Sequence, residues 1–139
     1  MSFSELISPL LGRLAIAWFF LSEVYTRASA WDGNVDQLAI LNLPAPPVLL
    51  ALALIVMILG GLSLLLGFHA RYGAILLFGF TVVASVIVHD YWHLKDAASR
   101  AADYEIFARN IAIAGGLLMI VGTGAGPFAI DNVPQKKKR

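Results

Sequence analysis

Long runs of apolar residues, separated by polar stretches, dominate this chain. Four runs are long enough to cross roughly 30 Å of hydrocarbon as helices, and they cover residues 6–25, 48–68, 72–88 and 107–123. Only a few residues around Arg71 separate the second run from the third, so these helices should form an antiparallel hairpin. The pattern predicts an all-α integral membrane protein, a four-helix antiparallel bundle in a single domain over residues 1–139.

The polar connections carry weaker signals. Residues 31–34, Trp-Asp-Gly-Asn, are typical of a turn, and the prolines just before residue 48 favour an extended approach to the second span. A short interfacial helix is predicted over residues 95–104. A competing interpretation of the N-terminus is a signal peptide cleaved after residues 28–30, Ala-Ser-Ala, but the first basic residue, Arg13, comes too late for one.

Composition agrees with lipid as the solvent. Hydrophobic residues make up 59% of the chain and charged residues 14%, whereas about a quarter of residues are charged in soluble domains. A formal net charge of +1 excludes a strongly basic nucleic-acid binder, so no nucleic-acid partner is expected. The absence of cysteine excludes disulfides, thiol catalysis, iron–sulfur clusters and covalently attached haem. No covalent cofactor is therefore expected.

The distribution of basic residues predicts the orientation in the membrane. Arg13, Arg71 and the basic tail at residues 134–139 lie on one side, whereas the two larger connections on the other side are richer in Asp. Basic residues favour the cytoplasm, so both termini are predicted to be cytoplasmic in a multi-pass protein of the cell inner membrane. The tail is interpreted as an anchor to anionic lipid.

Charged residues within the spans are informative, because each is costly in lipid unless it is paired or hydrated. Glu23 has a structural partner in Arg27 at i+4, and Arg109 has one in Glu105 at i−4. Either pair is an alternative to a functional role. Arg13 has no such partner, so it is predicted to point inward or to extend to the cytoplasmic face.

The third span ends in a cluster of polar and aromatic residues. On a continuous helix, His89 and His93 would share a face and offer two nitrogens to a metal. Two ligands do not make a site, so no metal site is predicted. The alternative is an aromatic belt, with Tyr91 and Trp92 at the level of the lipid head groups.

The four-span topology brings separated polar residues to one end of the bundle. An acid, a titratable imidazole, a fixed cation and an amide at that end could hold a quinone carbonyl and move its protons, or could form a buried ion-pair network. The candidate pocket residues are Glu23, His89, Asp90, Arg109 and Asn110. The glycines predicted to allow close helix packing are Gly60, Gly61, Gly115 and Gly116.

Several short motifs, in their order and spacing, resemble the DoxX family of small four-helix membrane proteins. The matching segments are Gly12-Arg13-Leu14, Leu59-Gly60-Gly61-Leu62, His89-Asp90-Tyr91-Trp92, Phe107-Ala108-Arg109-Asn110 and the closing residues 124–131. The family includes the DoxD-like subunit of thiosulfate:quinone oxidoreductase. Many relatives carry a glutamate where this chain has Met57, so any role of that carboxylate is absent here.

The resemblance implies a membrane protein that works beside a quinone or a larger redox partner, and it transfers fold more safely than chemistry. One hypothesis is a membrane subunit of a quinone-linked oxidoreductase system that contributes a quinone head-group site. The other is a non-catalytic accessory or assembly subunit that packs against a larger membrane complex. The sequence leaves both open, and it leaves open whether the chain is an enzyme.

Overall fold

The computed structural model describes residues 1–133. Those residues form five α-helices and two 3₁₀ turns, at Tyr91–His93 and Ile130–Asn132. The helices are α1 (Phe3–Ser29), α2 (Trp31–Ile40), α3 (Pro46–Leu66), α4 (Ala70–Val88) and α5 (Ala97–Thr123). All but α2 are long and apolar enough to cross a membrane. The prediction of an all-α membrane bundle with four spans is confirmed. The predicted basic tail, residues 134–139, lies outside the described residues.

The four long helices pack around one core in the spatial order α1, α3, α4, α5, and the first and last of them hardly touch. Helix α1 packs on α3, α3 on α4 and α4 on α5, whereas α1 and α5 contact each other only slightly. Met57, Leu64, Leu77 and Leu117 are buried at the centre. Large apolar side chains also cover the outside, and Trp18 is 72% exposed. In a bundle of four candidate spans, an outer surface of this kind is expected to face lipid.

Two glycines allow α3 to approach its neighbours. A Cβ at Gly60 would collide with the Leu77 side chain of α4, and one at Gly61 would lie 2.9 Å from Leu21 of α1. Gly116 faces Ile16 more loosely, at 3.1 Å. Gly115, in contrast, is exposed with nothing within 4 Å of a Cβ, so it does not serve helix packing among residues 1–133.

The segment after α5 folds back across one end of the bundle and is held by Arg13. The buried guanidinium donates to the carbonyl oxygens of Ala125 at 2.6 Å and Phe128 at 2.7 Å. The predicted inward position of Arg13 is therefore what the structure has. Gly67 lies in the left-handed region, with φ of 66°, and a Cβ there would crowd both Arg13 and Ala129.

Asp131, in the same returning segment, caps the next helix. Its carboxylate accepts hydrogen bonds from the backbone amides of His69 at 2.7 Å and Ala70 at 2.9 Å, at the N-terminus of α4. Burial opposes its ionisation, but those bonds and the positive charges of His69 and Arg13 together lower the pKa of Asp131. The cap ties the C-terminal segment to the α3–α4 turn.

Two expectations about the connections are wrong. The predicted turn at residues 31–34 is the start of α2, because the Asn34 side-chain amide donates to the Ala30 carbonyl at 2.8 Å and helps to satisfy the end of α1. The predicted interfacial helix over residues 95–104 is not a separate element. Asp96 caps α5 by accepting from the Ser99 amide at 2.9 Å, and the helix then continues into the fourth span without a break.

Candidate functional site

A cavity of about 600 Å³ lies on one side of the bundle, between α1, α3 and α4 and beneath α2. Its wall along α4 extends from Ile75 to Val88, which is about 20 Å at 1.5 Å per residue. Most of that wall is aliphatic or aromatic, with Leu50, Met57 and Phe80 among the lining residues. The shape and lining suit a long amphipathic molecule with a polar end.

The polar lining residues are concentrated where α1 ends, α4 ends and α2 crosses. Apart from Thr81, which lies farther along the wall, the polar lining residues are Glu23, Arg27, Asn34, Gln37, His89, Arg109 and Asn110. Four of the five residues predicted from sequence are in this set. Asp90 is not, because it follows the end of α4 and precedes the 3₁₀ turn, where its carbonyl accepts from the His93 amide at 2.9 Å.

Glu23 forms the ion pair predicted for it, whereas Arg109 forms a cation–π contact. Glu23 pairs with Arg27 at 3.1 Å across one helical turn, the structural alternative raised for it. The corresponding pair of Arg109 with Glu105 is not among the ion pairs of residues 1–133. Arg109 instead places its guanidinium carbon 5.3 Å from the centre of the Phe19 ring, a cation–π distance. Among the residues that the structure describes, no carboxylate forms an ion pair with this cation at the cavity.

His89 is held by a residue that the sequence did not indicate. Its Nδ1 lies 2.8 Å from a carboxylate oxygen of Asp103, on the first turns of α5. The histidine is 8% exposed. A carboxylate on one ring nitrogen fixes the imidazole in place and leaves the other nitrogen for a ligand. Fourteen residues separate the partners, and no helical or strand period links them, so only the tertiary fold reveals the pair.

His89 and His93 do not share a helix face. Helix α4 ends at Val88, His89 has a non-helical backbone, and His93 lies in the 3₁₀ turn. Within the part of the chain that the structure describes, no group of three or more His, Cys, Asp or Glu could hold a metal. The aromatic residues of this turn pack on α5, with Tyr91 5.4 Å and Trp92 5.8 Å from the Phe107 ring.

Thr81 is a second feature that sequence reasoning missed. It lies halfway along the cavity wall and is 5% exposed, and its hydroxyl has no hydrogen-bond partner among residues 1–133. A buried hydroxyl without a partner costs free energy. Since a helical threonine can donate to a carbonyl of the preceding turn, the lack of a partner for Thr81 was not predictable from its position in the third span.

Comparison with known proteins agrees with the resemblance noted from the motifs. The DoxX family model matches residues 8–90, which is more than half of the chain. The chain is a member of the DoxX family. The match extends from α1 to the end of α4, so it includes Glu23 and His89 but not the α5 residues Asp103, Arg109 and Asn110.

Two relatives of the DoxX protein described here come from Escherichia coli strain K12. Inner membrane protein YphA is 29% identical over 122 residues, 88% of this chain and 86% of the relative. Inner membrane protein YqjF is 25% identical over 133 residues, 96% of each chain. The yeast ER-derived vesicles protein ERV29, from Saccharomyces cerevisiae, is 30% identical over 81 residues, which is 58% of this chain and 25% of ERV29. No solved structure gives a significant match.

Proposed function

We propose that this DoxX protein is the quinone-binding membrane subunit of an oxidoreductase system. The observation that carries the proposal is the shape of the cavity, which is apolar for most of its length and polar at one end. A membrane quinone likewise has a long apolar part, the isoprenoid tail, and a polar end, the ring. The volume of about 600 Å³ is within the range of small-molecule sites.

The side chains at the polar end of the cavity suit a quinone ring, which carries two oxygen atoms. Arg109 and Asn110 bring N–H groups, which donate to a carbonyl or hydroxyl oxygen. His89 and Glu23 bring groups that accept or exchange a proton. A bound quinone would supply the electron chemistry, and these side chains would bind and orient its ring. Asp90 is not part of the proposed site.

The aliphatic wall of the cavity suits the isoprenoid tail of a quinone. Ile75, Leu76 and Val83 line the cavity and are also exposed on the outside of α4, so the cavity is open to the surrounding lipid along that helix. A tail could enter sideways from the bilayer. Burial of such a tail contributes roughly 25 cal/mol for each Å² removed from contact with water, although a ligand arriving from lipid gains less than that.

The test is whether quinone stays with the protein and depends on the polar end. Membranes are solubilised in a mild detergent, the protein is purified, and extracted quinone is quantified per protein molecule. We expect wild type to retain quinone and His89→Ala to lose most of it. His93→Ala is the matched control, because His93 is exposed and does not line the cavity. Wild type that neither retains quinone nor binds added quinone would refute the proposal.

The second candidate function is a non-catalytic accessory subunit of a larger membrane complex. Gly115 and Gly122 of α5 face open space on the outside of the bundle, and small residues on a lipid-facing surface allow a partner helix to approach closely. Native mass spectrometry of the detergent extract distinguishes the candidates. A stable complex with larger subunits, in which this chain holds no quinone, would favour the accessory role.

We also propose an inner-membrane location with both termini in the cytoplasm. Arg13 and Arg71 lie at the end of the bundle where the α3–α4 turn and the C-terminal segment meet. Lys and Arg near span ends favour the cytoplasmic side. This orientation puts the polar end of the cavity at the outer face. Reporter fusions at the C-terminus test it, and activity of a periplasm-dependent reporter there would contradict it.

A further inference from the structure

We propose that the His89–Asp103 pair makes the cavity selective for the reduced ring, the quinol, over the corresponding quinone. The inference rests on the proposed quinone site and adds the redox state that the site prefers. Asp103 lies outside the cavity lining, so it acts as a positioning residue, through His89.

The hydrogen bond between His89 and Asp103 has only one possible direction when Asp103 is ionised. A carboxylate only accepts, so the contact of 2.8 Å between Nδ1 of His89 and Asp103 requires the hydrogen to be on Nδ1. In the neutral ring, Nε2 then carries a lone pair and accepts. His89 lines the cavity, and its Nε2 has no other hydrogen-bond partner among residues 1–133. A ligand that pairs with this lone pair therefore brings an O–H to the nitrogen.

A second acceptor at the same end favours the same ligand. Glu23 lines the cavity, and its carboxylate is ion-paired with Arg27 through Oε2, so a charged Glu23 accepts hydrogen bonds and donates none. A quinone carbonyl facing either group would set lone pair against lone pair. A quinol hydroxyl donates to either group instead.

The donors at the cavity do not reverse this preference. Arg109 and Asn110 of α5 donate both to a carbonyl oxygen and to a hydroxyl oxygen, because both oxygens accept. Two acceptors therefore distinguish the redox states, while the donors bind both. One hydrogen bond gained is expected to give the quinol about a tenfold advantage in Kd, which corresponds to about 1.4 kcal/mol.

The test compares the two redox states of one soluble probe. The full chain in dodecyl maltoside is titrated anaerobically with decylubiquinol and with decylubiquinone, and each Kd is measured by calorimetry. We expect wild type to bind the quinol about tenfold more tightly. In Asp103→Asn the side-chain amide can donate to Nδ1, which moves the ring hydrogen to Nε2, so the preference should fall below about threefold. Glu105→Gln, an exposed change nearby on α5, should keep it.

A spectroscopic readout separates positioning from general structural damage. Long-range ¹⁵N–¹H NMR reports which ring nitrogen carries the hydrogen, and the His89 signals are those missing in His89→Gln. We expect hydrogen on Nδ1 and a bare Nε2 in wild type, and a shift toward Nε2–H in Asp103→Asn. Wild-type measurements alone decide the inference if that variant does not fold. Equal binding of both redox states, or a hydrogen on Nε2 of wild-type His89, overturns the inference and leaves the quinone site standing. Binding of neither state overturns the proposed function together with the inference.

Discussion

Removal of the Asp131 carboxylate should loosen the end of the bundle where the C-terminal segment returns to α4. The carboxylate accepts from two consecutive amides, at 2.7 Å and 2.9 Å, which α4 cannot satisfy within its own first turn. No other described side chain accepts from these amides. In Asp131→Ala, both bonds and the favourable interaction with the helix dipole are lost together.

The expected cost follows from those contacts. Replacing a capping side chain by Ala typically costs about 0.5–2 kcal/mol, and a negative charge at a helix N-terminus contributes about 0.3–1 kcal/mol. Asp131 is exposed, so solvent screening holds the charge contribution at the low end. We expect a loss of about 1.5 kcal/mol for Asp131→Ala and about half of that for Asp131→Asn, which keeps one acceptor oxygen.

The assay is reversible unfolding in mixed dodecyl maltoside and SDS micelles, followed by far-UV circular dichroism. Asp36→Ala is the matched control, because Asp36 is an exposed carboxylate on α2 without a hydrogen bond from its side chain in the described structure. An Asp131→Ala midpoint equal to that of wild type would refute the capping argument.

The stability difference between wild type and Asp131→Ala should depend on pH. The folded protein lowers the pKa of Asp131, so the stabilisation is complete above the unfolded value of about 3.9 and is lost as pH falls through the lower folded pKa. The difference between wild type and Asp131→Ala should stay constant from about pH 7 to pH 5. Below the unfolded pKa of about 3.9 it should shrink toward about half, because a protonated Asp131 still offers a neutral acceptor oxygen. A difference that persists unchanged at the lowest pH would show that the charge of Asp131 is not responsible.

Three further perturbations test the packing. Gly60→Ala should lower the unfolding midpoint in the same assay, because the new Cβ collides with Leu77; a midpoint at or above that of wild type would contradict the close contact. Gly115→Ala has open space around it and should be neutral or stabilise by up to about 1 kcal/mol through helix propensity, and a marked loss would reveal a contact outside the chain. Arg13→Met removes two hydrogen bonds from a charged donor and should cost about 3 kcal/mol, with faster proteolysis of residues 124–133; unchanged cleavage would show that Arg13 does not hold that segment.

Local patterns were sufficient to predict the spans and to place Glu23 and His89 at the same end of the bundle. Glu23 and His89 each close an apolar run, and antiparallel connectivity brings the ends of the first and third runs to the same level. The helical pair of Glu23 with Arg27 also follows from spacing. The analogous pair of Arg109 with Glu105 does not form, because the neighbouring helix offers the Phe19 ring to the guanidinium instead.

Contacts between distant segments required the tertiary structure. Hydropathy predicts four helices in lipid, because apolar runs of this length span the hydrocarbon as helices, in which each backbone polar group is hydrogen-bonded within its own segment. Hydropathy does not determine which side chain of one helix end meets another, since that depends on helix rotation and on packing between neighbours. His89 and Asp103 are 14 positions apart in the chain. Asp131 is 62 positions from His69 and 61 from Ala70, whose amides it caps. The sequence alone therefore specified a membrane bundle with a polar end, and the three-dimensional packing decided which groups at that end face one cavity.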